Sequence, residues 1–238
     1  MTGDYPWDYY NDVTAGQYLD HQERIILDKF FNSHSPRSCL DIACGSGRIS
    51  LQLMGRGIHV VAADLNLTGL KKLHAKAAKI QNDRIDLLQS DANNLSFKNE
   101  TFDCILAFQT VGYLRIKHFL SECNRILKND GWLLFNEANR HSYKSVIHRK
   151  LSPDTQFYRR SHSEICSLLN ETNFRIERSA GMNWLPQRRD SDNRWTPIAS
   201  KIESKLKLSA FPSISPWVFY VAQKRGFASE EHRTDRPN

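Results

Sequence analysis

The chain has 238 residues, 40% of them hydrophobic and 25% charged, with a formal net charge of +7. That length holds one α/β domain with an elaboration, or at most two small domains, with a sizeable core, and such ordinary composition excludes a fibrous or largely disordered chain. The charge suits an anionic partner, such as a phosphorylated metabolite, an anionic lipid surface or RNA, although spread-out basic residues serve equally as a solvated face.

The N-terminus, Met1 to Asp8, is acidic and carries no apolar leader. From Ala15 to Phe31, Tyr18, Ile25, Ile26, Leu27 and Phe30 recur at helical spacing, which predicts an amphipathic helix. A strand is expected over Cys39–Ala43, then a glycine turn and a helix over Arg48–Met54. A second strand, Ile58–Ala63, ends at Asp64 and leads to a Lys-rich helix over Leu67–Ile80. Arg84–Gln89 and Phe102–Phe108 read as two further buried strands. A helix over Ile116–Leu127 is expected to end at Gly131, and Trp132–Glu137 to form a fifth strand. This alternation predicts a parallel sheet wrapped by helices.

Ser161 and Glu164 form a capping-box pattern opening a helix to Leu169, followed by an alternating strand over Phe174–Ala180. The last strand is Trp217–Ala222. Between them, Asn183–Pro216 holds four prolines and a helix expected over Ile198–Leu208, which suits a cap over the ligand edge of the sheet. Gly226–Asn238 is polar and expected to be disordered. Five cysteines without a C-x-x-C pair read as reduced core residues, and no apolar run approaches the ~20 residues of a bilayer span. A cytoplasmic location without a membrane span follows, and no metal is expected.

The segment Asp41-Ile-Ala-Cys-Gly-Ser-Gly47 is a strand, a tight turn and a helix start, where small residues let backbone approach a ligand. Asp64, at the end of the next strand, stands where Rossmann-like folds place a carboxylate for ribose hydroxyls. Asp91 and Ala92 follow the third strand, where a carboxylate and a backbone N–H can read the edge of an adenine. A nicotinamide site would also use Asp64, but its fingerprint wants a third glycine where this chain has Ser50.

With these residues the chain resembles the class I S-adenosylmethionine-dependent methyltransferases of the small-molecule type. Leu40–Gly47 looks like their first motif, Ala63-Asp-Leu-Asn66 their second and Ser90-Asp-Ala92 their third, while Phe102–Gln109 is similar to their fourth strand and Leu127–Leu134 to the approach to their fifth. The resemblance implies a Rossmann-like α/β fold: a seven-stranded sheet of order 3-2-1-4-5-7-6, strand 7 antiparallel, helices on both faces and a small cap. It implies one such domain over residues 1–225, with an N-terminal helical lid (1–36), a cofactor-binding core (37–140) and a cap-bearing remainder (141–216). It further implies that S-adenosylmethionine is bound, and S-adenosylhomocysteine released, by Asp41, Ala43, Gly45, Ser46, Gly47, Asp64, Leu65, Asp91, Ala92 and Gln109.

For the reaction itself, the stretch Gln109-Thr-Val-Gly-Tyr113 departs from the proline-rich tetrapeptide of relatives that methylate nucleobase amines. Tyr113 is a candidate for orienting the substrate, and His141, just past strand five, for a general base, with His118 behind it. Glu137 and Asn139 are candidates for polar substrate contacts. Trp7-Asp-Tyr-Tyr10 could fold over the cofactor, and Trp184–Asp190 with Arg159 and Arg160 could line a pocket for an acidic acceptor. The expected activity is O- or N-methylation of a small molecule, with an anionic acceptor included. The alternatives are methylation of RNA or protein, or a non-catalytic scaffold of the same fold. The oligomeric state is open.

Overall fold

The computed structural model describes residues 8, 12–80, 83–151, 159–185 and 192–226. The expected tail from 227 onward, the aromatic residues Trp7, Tyr9 and Tyr10, and the stretch 186–191 lie outside the described residues.

The chain enters through a long helix, α1 (Thr14–Ser33), whose Tyr18, Ile26, Leu27 and Phe30 are buried as predicted, joined by Leu19, while Ile25 faces outward. Then β1 (Ser38–Ile42), α2 (Arg48–Gly55), β2 (His59–Asp64), α3 (Leu67–Ala78) and β3 (Ile85–Gln89) alternate as expected. β4 (Phe102–Ala107), a 3-10 turn at Val111–Tyr113 and α4 (Ile116–Ile126) continue the pattern into β5 (Leu127–Ala138). After it come α5 (Tyr143–Leu151), α6 (His162–Glu171), β6 (Phe174–Met182), α7 (Thr196–Lys205), a 3-10 turn at Leu208–Ala210 and β7 (Trp217–Lys224).

The seven strands lie in the order β3-β2-β1-β4-β5-β7-β6. β1 to β5 pair in parallel, and β7 runs antiparallel to both β5 and β6. β1, β2 and β4 are near-continuous apolar runs because both of their faces are covered. On one face Phe119, Leu120, Ile165 and Leu169 of α4 and α6 pack on Leu40, Ile105 and Phe135. On the other, Leu27, Phe30, Leu53 and Leu73 of α1, α2 and α3 pack on Val60, Cys104 and Leu134. The sheet therefore sits between two helical layers, and the C-terminal ends of β1, β2 and β4 open on one edge.

Three expectations need correction. β3 is half-exposed rather than buried, because it is an edge strand with one neighbour. β5 leaves α4 directly at Leu127 instead of starting at Trp132, and a register shift opposite Phe102 and Cys104 absorbs the extra residues. The left-handed residue in that stretch is Asp130 (φ 59), not Gly131, which is needed for close packing: a Cβ there would lie 2.8 Å from the Lys128 carbonyl oxygen. Helix α5, in a stretch rich in polar residues, was not expected. By contrast the capping box forms: Ser161 Oγ accepts from Glu164 N at 3.2 Å and Glu164 Oε2 accepts from Ser161 N at 2.7 Å. No helix among the described residues is long and apolar enough to cross a membrane.

Candidate functional site

A cavity of about 640 Å³ opens where β1, β2 and β4 end. Of the residues read as a cofactor set, Asp41, Ala43, Gly45, Ser46, Asp64, Leu65, Asp91, Ala92 and Gln109 line it. Gly47 does not. It caps α2 at φ 85, and a Cβ added to it would come within 2.1 Å of Leu73 on α3, so this glycine serves the turn and the packing of two helices.

The loop between β1 and α2 is held from both sides. Asp64 Oδ2 accepts from Gly45 N at 2.7 Å, and Asp64 Oδ1 accepts from Asn66 N at 2.7 Å. The Asp64 carboxylate thus fixes two backbone amides, one on each neighbouring turn. Asp41 is buried and accepts from Ser50 Oγ at 2.5 Å. Burial pushes the Asp41 carboxyl up to about 6, against the pull of that hydrogen bond and of the Arg48 charge. Ser46 Oγ donates to Asp8 at 2.5 Å, and Lys72 and Lys76 of α3 bridge this pair at 2.9 and 3.1 Å.

The opposite wall comes from α1, within the stretch expected as a lid, through Gly16, Leu19 and Asp20, none of which was singled out by its sequence context. Glu23, one turn further on, is fully buried. Its Oε1 accepts from Gln109 Nε2 at 2.9 Å and Asn136 Nδ2 at 2.6 Å, and its Oε2 from Arg48 at 2.5 Å. Burial works against the Arg48 charge, but Glu23 and Asp20 outweigh it and hold its pKa above the usual arginine range. Gln109 N in turn donates to Asn136 Oδ1 at 2.7 Å. That clamp explains how Gln109, like Ala43 at the end of β1, keeps a left-handed backbone (φ 58 and 55) that side-chain-bearing residues adopt at a cost.

Tyr113 lines the cavity and is 52% exposed. His141 is not brought there: it is exposed, outside the lining, and its backbone N–H donates to Asn139 Oδ1 at 3.0 Å at the start of the chain's path into α5. His118 is also outside the lining, with Nε2 2.9 Å from the Asn93 carbonyl. Asn139 is buried and ties β5 to the Pro212 and Ser213 carbonyls. Glu137 is buried against Arg160 at 2.9 Å, while its second oxygen has no hydrogen-bond partner among the described residues. Arg159 lies within electrostatic range of Tyr113, with burial lowering its pKa. No group of three or more potential metal ligands is found among the described residues.

Burial also lifts Glu203 of α7 to about 7, although Tyr18 and Gln22 of α1 both donate to its carboxylate. A carboxyl whose pKa is raised by folding contributes stability below its ordinary value near 4.5 and loses it as pH rises through about 7. The melting temperature of Glu203→Gln relative to the unmodified protein should therefore shift in the variant's favour as pH rises from about 5 to about 8. Scanning calorimetry at the two pH values checks this, and a constant difference would contradict it.

Residues 40–135 match the family model described as a methyltransferase domain. The chain is 31% identical over 139 residues to an uncharacterized protein of Methanocaldococcus jannaschii, covering 58% of this chain and 51% of that one. It is 22% identical over 186 residues to a probable S-adenosylmethionine-dependent methyltransferase of Mycobacterium tuberculosis, covering 77% and 65%. The chain thus spans about half to two thirds of the length of these relatives. In fold it is similar to a putative methyltransferase from Bacillus halodurans, with a TM-score of 0.64, 18% identity and coverage of 86% and 99%. It is likewise similar to Haemonchus contortus phosphoethanolamine N-methyltransferase 2 in complex with S-adenosyl-L-methionine, with a TM-score of 0.63, 20% identity and coverage of 86% and 52%.

Proposed function

We propose that this chain, whose residues 40–135 match the family model of a methyltransferase domain, moves a methyl group from S-adenosylmethionine to a small-molecule acceptor and releases S-adenosylhomocysteine. The observation that carries the reading is one cavity bordered by the Gly45 turn, by Asp64 at the end of β2 and by Asp91 after β3.

The donor set fits the cofactor. A carboxylate oxygen accepts more than one hydrogen bond, so Asp64 can hold Gly45 N and Asn66 N and still receive ribose hydroxyls. Asp91 uses Oδ1 on Asn93 N at 2.8 Å and keeps acceptor capacity for an adenine amine beside Ala92. Gly45 and Ser46, with Asp41 and Ala43 behind them and Leu65 beside the ribose position, would border the methionyl end. When bound, the cofactor supplies a sulfonium methyl that is already electrophilic, so the protein has to align a nucleophile and exclude water. Leu19 and Gly16 of α1 close one side, and Gln109 and Tyr113 flank the end at which an acceptor would enter.

The described lining contains five aspartates and one arginine, and no histidine. Such a wall favours a nitrogen acceptor, which needs less help with its proton than a hydroxyl does. Arg159, beside Tyr113, suits an anionic group elsewhere on the same molecule. A screen with isotope-labelled cofactor, run in parallel on small amines, small hydroxyl compounds, RNA and protein, tests the reading. Transfer to small amines is expected. Label appearing only in RNA or protein would replace the acceptor class, and cofactor binding without transfer to anything would favour a scaffold.

A further inference from the structure

Helix α7 is amphipathic in the reverse sense. Its buried side chains include Thr196 and Glu203, the latter holding Tyr18 and Gln22 of α1. At about 100° per residue, Trp195, Ile198, Ile202 and Leu206 form a stripe on another side of the helix. They are 58%, 50%, 53% and 59% exposed. Past the helix, Phe211 and Ile214 are 52% and 57% exposed as well. Scattered apolar residues on a surface need no explanation, but a continuous stripe on a helix whose inward face is polar marks a surface built to be covered.

From Arg194 to Ile214 the exposed charges all have one sign, with Asp192 in the same recess as Trp195 just ahead of them. Lys201, Lys205 and Lys207 are exposed along the same segment, and the Arg194 guanidinium stacks 5.4 Å from the Trp195 ring centroid. The one carboxylate between Arg194 and Ile214 is Glu203, which is turned inward. A second copy of this chain docked stripe to stripe would bring like charges together. An anionic lipid surface meets both features, with apolar side chains entering the acyl boundary and lysines at the phosphate level.

We propose that α7 and the turn after it form an interfacial anchor that lies on an anionic bilayer. With 10 residues the helix lies in the interface and does not span it. Through Glu203 it is fastened to α1, the helix that forms one wall of the cavity. Docking therefore fixes the cavity's orientation to the membrane without using any cavity residue.

Flotation of the full chain with vesicles tests this directly, using phosphatidylcholine alone and phosphatidylcholine with about one quarter phosphatidylglycerol. Partition to the anionic vesicles is expected to exceed that to neutral ones by at least about tenfold and to weaken in high salt. Ile198→Asp combined with Ile202→Asp should lower it by about tenfold or more, with cofactor affinity unchanged. If that pair fails to fold, Lys201→Glu with Lys205→Glu, which alters only solvated side chains, decides: loss of the anionic preference is expected. Absence of flotation with anionic vesicles at low salt, equal flotation with neutral ones, or a double aspartate variant that floats like the unmodified chain would overturn the proposal. So would a dimer in light scattering that the aspartate pair converts to monomer while no vesicle binding is seen.

Discussion

Replacing Glu23 by alanine is expected to lower folding stability by about 3–5 kcal/mol, because it leaves buried partners without their carboxylate. Arg48 would keep only Asp20, and the side-chain amides of Gln109 and Asn136 would lose their shared acceptor. In a chain of this length the loss corresponds to a melting temperature lower by roughly 6–20 °C. Glu23→Gln separates charge from hydrogen bonding. Its amide oxygen can still accept from Gln109 and Asn136, while its NH2 group faces Arg48, so an intermediate drop is expected. Thermal melts of the two variants check the order, and an alanine variant as stable as the original would show that the network contributes nothing net. The same network predicts where damage appears: α1 and Gln109 both border the cavity, so cofactor affinity should fall together with stability.

Asp64→Ala should have the largest effect on ligand binding. Two hydrogen bonds from backbone amides to an ionised acceptor would be lost, each contributing about 1.5–3 kcal/mol. The Gly45 turn and the Asn66 turn would then relax independently, and the position assigned to the ribose would lose its acceptor. Affinity for S-adenosylmethionine is expected to fall at least about 100-fold by isothermal calorimetry. Asp64→Asn keeps one oxygen acceptor and should fall in between. An alanine variant binding the cofactor at full strength would remove Asp64 from the site.

Local chemistry made much of this legible in the sequence. Cys39–Ala43, Ile58–Ala63 and Phe102–Phe108 read as strands because both faces of a central parallel strand are largely apolar, and Ser161 with Glu164 announced a helix start through hydrogen bonds four residues apart or fewer. The carboxylates Asp41, Asp64 and Asp91 could be placed on one edge because each follows or ends a strand of the same parallel set. What stayed hidden depends on long-range partners. Glu23 sits on a helix face that periodicity alone would leave as one polar residue among others, and its acceptors' donors lie 86 and 113 residues away. Gly47 looked like a ligand-binding glycine because its reason, Leu73, is on another helix. The end of a strand suggests His141, yet the chain turns there through Asn139 and leaves His141 exposed and outside the cavity lining. The outward stripe of α7 was equally unreadable, since apolar residues at helical spacing ordinarily point inward.

The cavity at the ends of β1, β2 and β4 is proposed as the binding site of S-adenosylmethionine. Isothermal titration of the purified chain with that ligand tests it most directly. One molecule bound per chain, displaced by S-adenosylhomocysteine and weakened at least about 100-fold in Asp64→Ala, is the predicted result. A titration without heat or displacement, repeated at two temperatures to exclude a vanishing enthalpy, would contradict it.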